Sequence, residues 1–191
     1  MRTRMRLLRQ LATLVALGVL AACGGNPPPA PAPRPSASVP ARRAPPAEGE
    51  ALLLPVAGVH PFQLRDSYDA PRSGGRTHKA IDIPAPHGTP VLAAADGRIL
   101  RLHVGNVGGN AIYQLDADGR TRYYYAHLDR YADGLAEGQQ LYRGQVIGYV
   151  GDTGNAGAGN YHLHFSIAIL DDPRRWWEGV NLNPYQLLGG R

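Results

Sequence analysis

Beyond residue 51 the chain alternates apolar and polar residues over short stretches, and Gly, Pro, Asp and Asn interrupt them. Such alternation marks half-buried strands, because successive side chains leave opposite faces of a sheet. The clearest case lies at residues 162–169. There Leu163, Phe165, Ile167 and Ile169 share one parity while His162 and His164 share the other. The same criteria predict strands at 80–83, 90–94, 98–104, 111–116, 122–127, 145–150 and 162–169. Asp118-Gly119 between two of these runs predicts a hairpin turn. Sustained helical periodicity is missing, so the expected fold is mainly β: a small antiparallel β-sheet domain with few short helices. Composition agrees, since 24 Gly and 17 Pro among 191 residues suit a loop-rich domain rather than a helical bundle or multi-span membrane protein.

The first fifty residues follow a different pattern. Residues 1–22 combine an Arg-rich start with one apolar run and a small-residue end, which reads as a signal peptide. That run is about a dozen residues, short of the ~20 needed to span a bilayer as a helix. Leu20-Ala21-Ala22-Cys23 resembles a bacterial lipobox, in which the cysteine is acylated and becomes the new N-terminus. Cys23 is the only cysteine, which excludes an intramolecular disulfide and a Cys-rich zinc site. Gly24, rather than Asp, follows it, so the resemblance implies an outer-membrane lipoprotein facing the periplasm. Residues 23–50 are rich in Pro and Ala and are expected to be a disordered, extended linker reaching on the order of 80 Å. The domain itself is assigned to residues 51–191.

Charge is a property of the leader. The formal net charge is +5, yet 13 basic and 13 acidic side chains lie from residue 51 onward, which leaves the domain neutral. A nucleic-acid partner is therefore not expected.

Three short patterns carry candidate chemistry. His162-Leu163-His164 projects two imidazoles from one face of a strand. In His78-Lys79-Ala80-Ile81-Asp82, a loop after Ser73-Gly74-Gly75 brings His78 to a strand that presents Asp82 opposite Ile81 and Ile83. In Tyr123-Tyr124-Tyr125-Ala126-His127, alternation places His127 on the face of Tyr123 and Tyr125. Two imidazoles and one carboxylate form the ligand set of an open catalytic zinc site, although each pattern alone fits a structural role as well. Residues 87–99 and 141–148 are similar to the turn-and-strand elements of lipoyl or biotinyl carriers. The only lysine, Lys79, precedes a strand instead of tipping a hairpin, which excludes that reading.

Across these patterns the sequence resembles the lysostaphin-type, or LytM-domain, zinc metalloendopeptidases, which cut peptide bridges in bacterial peptidoglycan. Residues 78–97 match the first block of that family, Tyr125-Ala126-His127-Leu128 the second, and residues 144–151 with Thr153-Gly154 and 162–165 the third. The resemblance implies a groove walled by loops over a sheet floor, and one Zn2+ held by His78, Asp82 and His164. It makes His127 and His162 the catalytic pair, assisting water deprotonation, oxyanion stabilisation and protonation of the leaving amine. Ala80 departs from the family, where many members have Gly, and the expected effect is a tighter loop. The alternative is a non-catalytic relative that binds peptidoglycan or activates an amidase, although such members typically lack several site residues. Arg76 and Lys79 are read as solvated loop charges. His60, His87 and His103 are read as structural or exposed, and Trp176-Trp177 as cover for an apolar face. Asp66 and Asp69 are the upstream carboxylates able to compete for the open zinc position.

Overall fold

The computed structural model describes residues 52–190. The expected signal peptide, Cys23 and the Pro-rich linker lie outside the described residues. Alternation builds the framework: β3 (Ile81–Pro84), β4 (Pro90–Leu92), β5 (Gly97–Gly105), β6 (Gly109–Asp116), β7 (Thr121–Tyr131), β9 (Val146–Val150) and β10 (His162–Ile169). These fall where the sequence predicts strands, with ends shifted by a few residues. Further short elements are β1 (Pro71–Arg72), β2 (Arg76–Thr77), β8 (Gln140–Leu141), β11 (Val180–Leu182), helix α1 (Pro184–Leu187) and 3-10 turns at Pro61–Gln63 and Ser73–Gly75. These four strands of two or three residues lie in segments whose alternation is too brief to mark them.

One nine-stranded sheet runs in the order β11-β10-β7-β6-β5-β8, with β3 also on β10, β9 on β7 and β4 on β9. All its pairings are antiparallel. On one face Ile81, Ile83, Ile112, Tyr125, Leu128, Leu163, Phe165 and Ile167 are buried in a single cluster. Leu54, Val56 and Leu64 close it from the N-terminal segment, and Leu188, just past α1, joins it. One polar chain crosses this core with its bonds satisfied. The Tyr125 hydroxyl accepts from Ala94 N and donates to Gln114 Oε1, while Gln114 Nε2 donates to the Ala95 carbonyl. The opposite face of β3, β10 and β7 is left to polar residues, and the candidate chemistry lies there.

Asp118 makes the β6–β7 turn expected from the sequence. Its carboxylate accepts from the backbone N–H of Arg120 and Thr121, and Gly119 takes a positive φ of 73°. Among the described residues no helix is long and apolar enough to cross a membrane.

Candidate active site

Strand register assembles the first part of the site. Asp82 on β3 lies directly opposite His164 on β10, and His164 opposite Ala126 on β7. Directly opposed residues of an antiparallel pair share a face, so the carboxylate and the imidazole emerge side by side. His78 arrives from the loop after β2. Its N–H donates to the Ala70 carbonyl and its ring Nδ1–H to the Ser67 carbonyl at 2.9 Å, which aims Nε2 at the other two. Lys79 makes the turn in a left-handed conformation (φ 57°), with its N–H on the Tyr68 carbonyl. Ala80 is fully buried, and its φ is not positive.

The result is a triangle of donor atoms. His78 Nε2 is 3.0 Å from Asp82 Oδ1 and 3.0 Å from His164 Nδ1, and His164 Nδ1 is 3.1 Å from Asp82 Oδ1. A tetrahedral zinc with bonds near 2.0–2.1 Å holds its ligands about 3.3 Å apart, so the spacing fits with little adjustment. Proton accounting points the same way. With Nδ1–H of His78 committed to Ser67, its Nε2 is a bare acceptor when neutral, facing a carboxylate oxygen. A cation satisfies both where one His164 proton cannot. Burial raises the Asp82 carboxyl, but the His164 and His78 rings packed against it outweigh this and hold it well below the usual carboxylate range. Burial lowers His164, which keeps that ring neutral and available as a ligand.

His127 reaches the same face by a different device. Alternation alone predicts it among Tyr123 and Tyr125, on the core side, and the structure corrects this. Asn110 faces Leu128 and Ile112 faces Tyr125, so Ala126 and His127 together oppose the single residue Ala111. This bulge, with His127 at φ 61°, returns Leu128 to the core and turns the imidazole into the groove. The His127 N–H donates to the Gly108 carbonyl and its Nδ1–H to the Thr153 carbonyl at 2.8 Å. Burial pushes its pKa down to about 4. His162, two residues from His164 on β10, donates Nδ1–H to the Asn160 carbonyl at 2.8 Å. Its Nε2 lies 3.7 Å from Asp82 Oδ1, and its ring centroid is 4.9 Å from that of His127. With Nδ1 of each ring on a backbone carbonyl, Nε2 is left to the groove that both residues line.

The five residues sit in a groove of about 310 Å³. The β1–β2 hairpin forms one wall through Arg72, Ser73, Arg76 and Thr77, while Val107, Gly108, Asn155 and Asn160 line it from two other loops. Arg72 donates to Asp82 Oδ2, the oxygen that the triangle leaves over. Several of these contacts were not foreseen. Ser67, Thr153 and Asn160 act through backbone carbonyls that carry no residue-type signal, and Arg72 depends on the hairpin fold. Asp66 and Asp69 stay away from the triangle: Asp66 holds Asn183, and Asp69 pairs with Lys79 at 2.8 Å. Lys79 accordingly faces away from the groove, whereas Arg76 lines it. His60 stacks on Phe62 at the surface, His87 pairs with Asp129, and His103 packs against Trp176, which lies on Tyr113.

The model of peptidase family M23 matches residues 76–184, more than half of the chain and all five groove residues. The chain belongs to peptidase family M23. Over 98 residues it is 41% identical to the DD-carboxypeptidase/endopeptidase Mpg of Neisseria meningitidis, covering 51% of this chain and 21% of that protein. Over 146 residues it is 35% identical to the L-Ala–D-Glu endopeptidase of Bacillus subtilis, covering 69% of this chain and 43% of that one. The chain thus spans less than half the length of either relative. Among solved structures, the catalytic domain of lysostaphin from Staphylococcus simulans aligns with a TM-score of 0.56 and 29% identity, covering 66% of this chain and 92% of the other. A zinc-containing peptidase from Vibrio cholerae aligns with a TM-score of 0.54 and 25% identity, covering 69% and 39%. The M23 assignment agrees with the mainly β, antiparallel architecture of the fold.

Proposed function

We propose that this M23 chain is a zinc-dependent endopeptidase that hydrolyses peptide cross-links of bacterial peptidoglycan. The observation that carries the reading is the triangle of His78 Nε2, Asp82 Oδ1 and His164 Nδ1 at 3.0–3.1 Å, with two further imidazoles aimed at it. Relatives named for cleaving L-Ala–D-Glu bonds and for DD-endopeptidase activity support the substrate class. Bound at the triangle, zinc supplies a Lewis acid for the scissile carbonyl and acidifies water. The protein's own contribution is placement. Ser67 and Arg72 fix the orientation of His78 and Asp82, the kind of outer contact that tunes ligand position. His127, neutral at pH 7, accepts a proton at Nε2, and its bulge keeps that atom in the groove. His162 presents a second Nε2 from which a proton can be donated or oxyanion charge stabilised once it is protonated. We further propose that Cys23 carries a lipid that holds the exported protein at the outer membrane, facing the periplasm, with the Pro-rich segment as tether.

The test is digestion of purified peptidoglycan with and without a zinc chelator, read by mass spectrometry of the muropeptides. Loss of cross-linked dimers with a matching gain of monomers, abolished by the chelator, is expected. Zinc-loaded protein that leaves the dimers intact would remove the endopeptidase reading.

A further inference from the structure

The β1–β2 hairpin pairs Arg72 with Arg76 directly across its two short strands. Like charges in that position destabilise a hairpin, and nothing in so short an element compensates through packing, since both strands are exposed. The turn between them is built to be tight, with Gly74 and Gly75 both at positive φ (73° and 71°). Both arginines line the same groove as the histidines. Their partners differ. Arg72 is committed to Asp82 Oδ2. The hydrogen bond made by Arg76 is from Nε to the Ser73 carbonyl at 3.2 Å, and both terminal nitrogens of this groove-lining residue are without a protein partner among the described residues. Among the groove-lining residues Asp82 is the single carboxylate, and the triangle and Arg72 occupy both its oxygens. The wall of the groove therefore carries a planar cation with no carboxylate partner among the described residues.

We propose that Arg76 is a carboxylate-recognising residue of the groove, selecting peptides that carry a free carboxylate next to the scissile bond over those in which it is a carboxamide. A guanidinium fork matches a carboxylate in bidentate geometry, and a carboxylate placed there also relieves the Arg72–Arg76 repulsion. Arg72 acts as a positioning residue, holding Asp82 and setting the hairpin over the groove. The proposal deepens the endopeptidase reading and rests on it for the choice of substrate.

Two synthetic cross-linked peptides test it, identical except that the carboxyl group beside the scissile bond is free in one and amidated in the other. Zinc-loaded protein is expected to favour the free carboxylate by on the order of tenfold in kcat/KM, expressed in KM. Arg76→Gln brings the ratio near one, and Arg76→Lys retains part of it. Equal kcat/KM for the two peptides, or a preference that survives Arg76→Gln, overturns the proposal. Should neither peptide be cleaved, the endopeptidase reading is what fails, and titration of both peptides into the zinc-loaded protein decides the arginine. Carboxylate-selective binding that Arg76→Gln abolishes supports it. Equal binding, or none to either peptide, overturns it.

Discussion

At the scale of single residues, the five groove side chains divide by what holds them. Asp82, His78 and His164 bring their donor atoms together, whereas His127 and His162, each held by a backbone carbonyl as His78 also is, lie outside that triangle. Removing a member of the first group should therefore act on metal, and removing His127 on turnover. Asp82→Ala is expected to lose both bound zinc and activity. His127→Ala should keep zinc near one equivalent and lose on the order of 10²–10⁴-fold in kcat, with metal analysis and kinetics on the same preparations as the measurement. A fully loaded, active Asp82→Ala protein would contradict the ligand assignment. His127 also makes a prediction about pH. Its pKa falls from 6.5 to about 4 on folding, so between those values the unfolded chain binds more protons than the native one. Stability is then complete above pH 6.5 and declines as pH falls towards 4. Denaturant titrations of the metal-free protein across that window should show a shallower decline in His127→Asn. An unchanged slope would mean that the ring is not held neutral.

The elements matter because His127 depends on a seam between two loops. Gly109 (φ 63°) and Gly154 (φ 73°) bring the β5–β6 turn and the loop after β9 into backbone contact. A Cβ on Gly109 would lie 2.1 Å from Thr153 Oγ and 2.4 Å from the Thr153 carbonyl carbon. Thr153 fastens the seam, since its hydroxyl accepts from Asn110 N–H and donates to the Leu128 carbonyl while its own carbonyl receives His127. Gly109→Ala should thus shift His127 and cut turnover on the order of 10²-fold with zinc retained. Gly119→Ala imposes the same positive φ where space is open, and serves as the control: kinetics close to wild type are expected there. The same seam explains what could be read from the sequence. Period-two alternation gave the long strands and the shared face of His162 and His164, because those depend only on parity. The matched blocks supplied all five groove residues. Parity misplaced His127, because a bulge at a non-glycine residue leaves no trace in the hydrophobic pattern. The carbonyls of Ser67, Thr153 and Asn160 were equally invisible, since any residue supplies one. Arg72 and Arg76 became a pair only once the Ser73-Gly74-Gly75 turn closed the hairpin.

For the whole molecule, the question is how a neutral domain with a small groove would reach the insoluble substrate proposed for it. The sequence places a lone cysteine at position 23 and nine prolines between it and residue 50. The lipid proposed at Cys23 would confine the domain near a membrane, which would raise its concentration at the adjoining wall without any added affinity. The domain carries no cationic surplus to do this by charge, since its basic and acidic side chains balance. Anchoring and catalysis should consequently be separable. Cys23→Ala is expected to move the protein from the membrane to the soluble fraction and to abolish incorporation of labelled fatty acid, there being no second cysteine to accept it. The released protein should still cleave isolated peptidoglycan in a chelator-sensitive manner, because the described residues that line the groove all lie at or beyond Arg72. In cells its effect on wall cross-linking should fall, since the tether no longer holds it near the substrate. Cys23→Ala protein that remains in the membrane fraction would rule out this residue as the anchor, and the tether would then need another point of attachment.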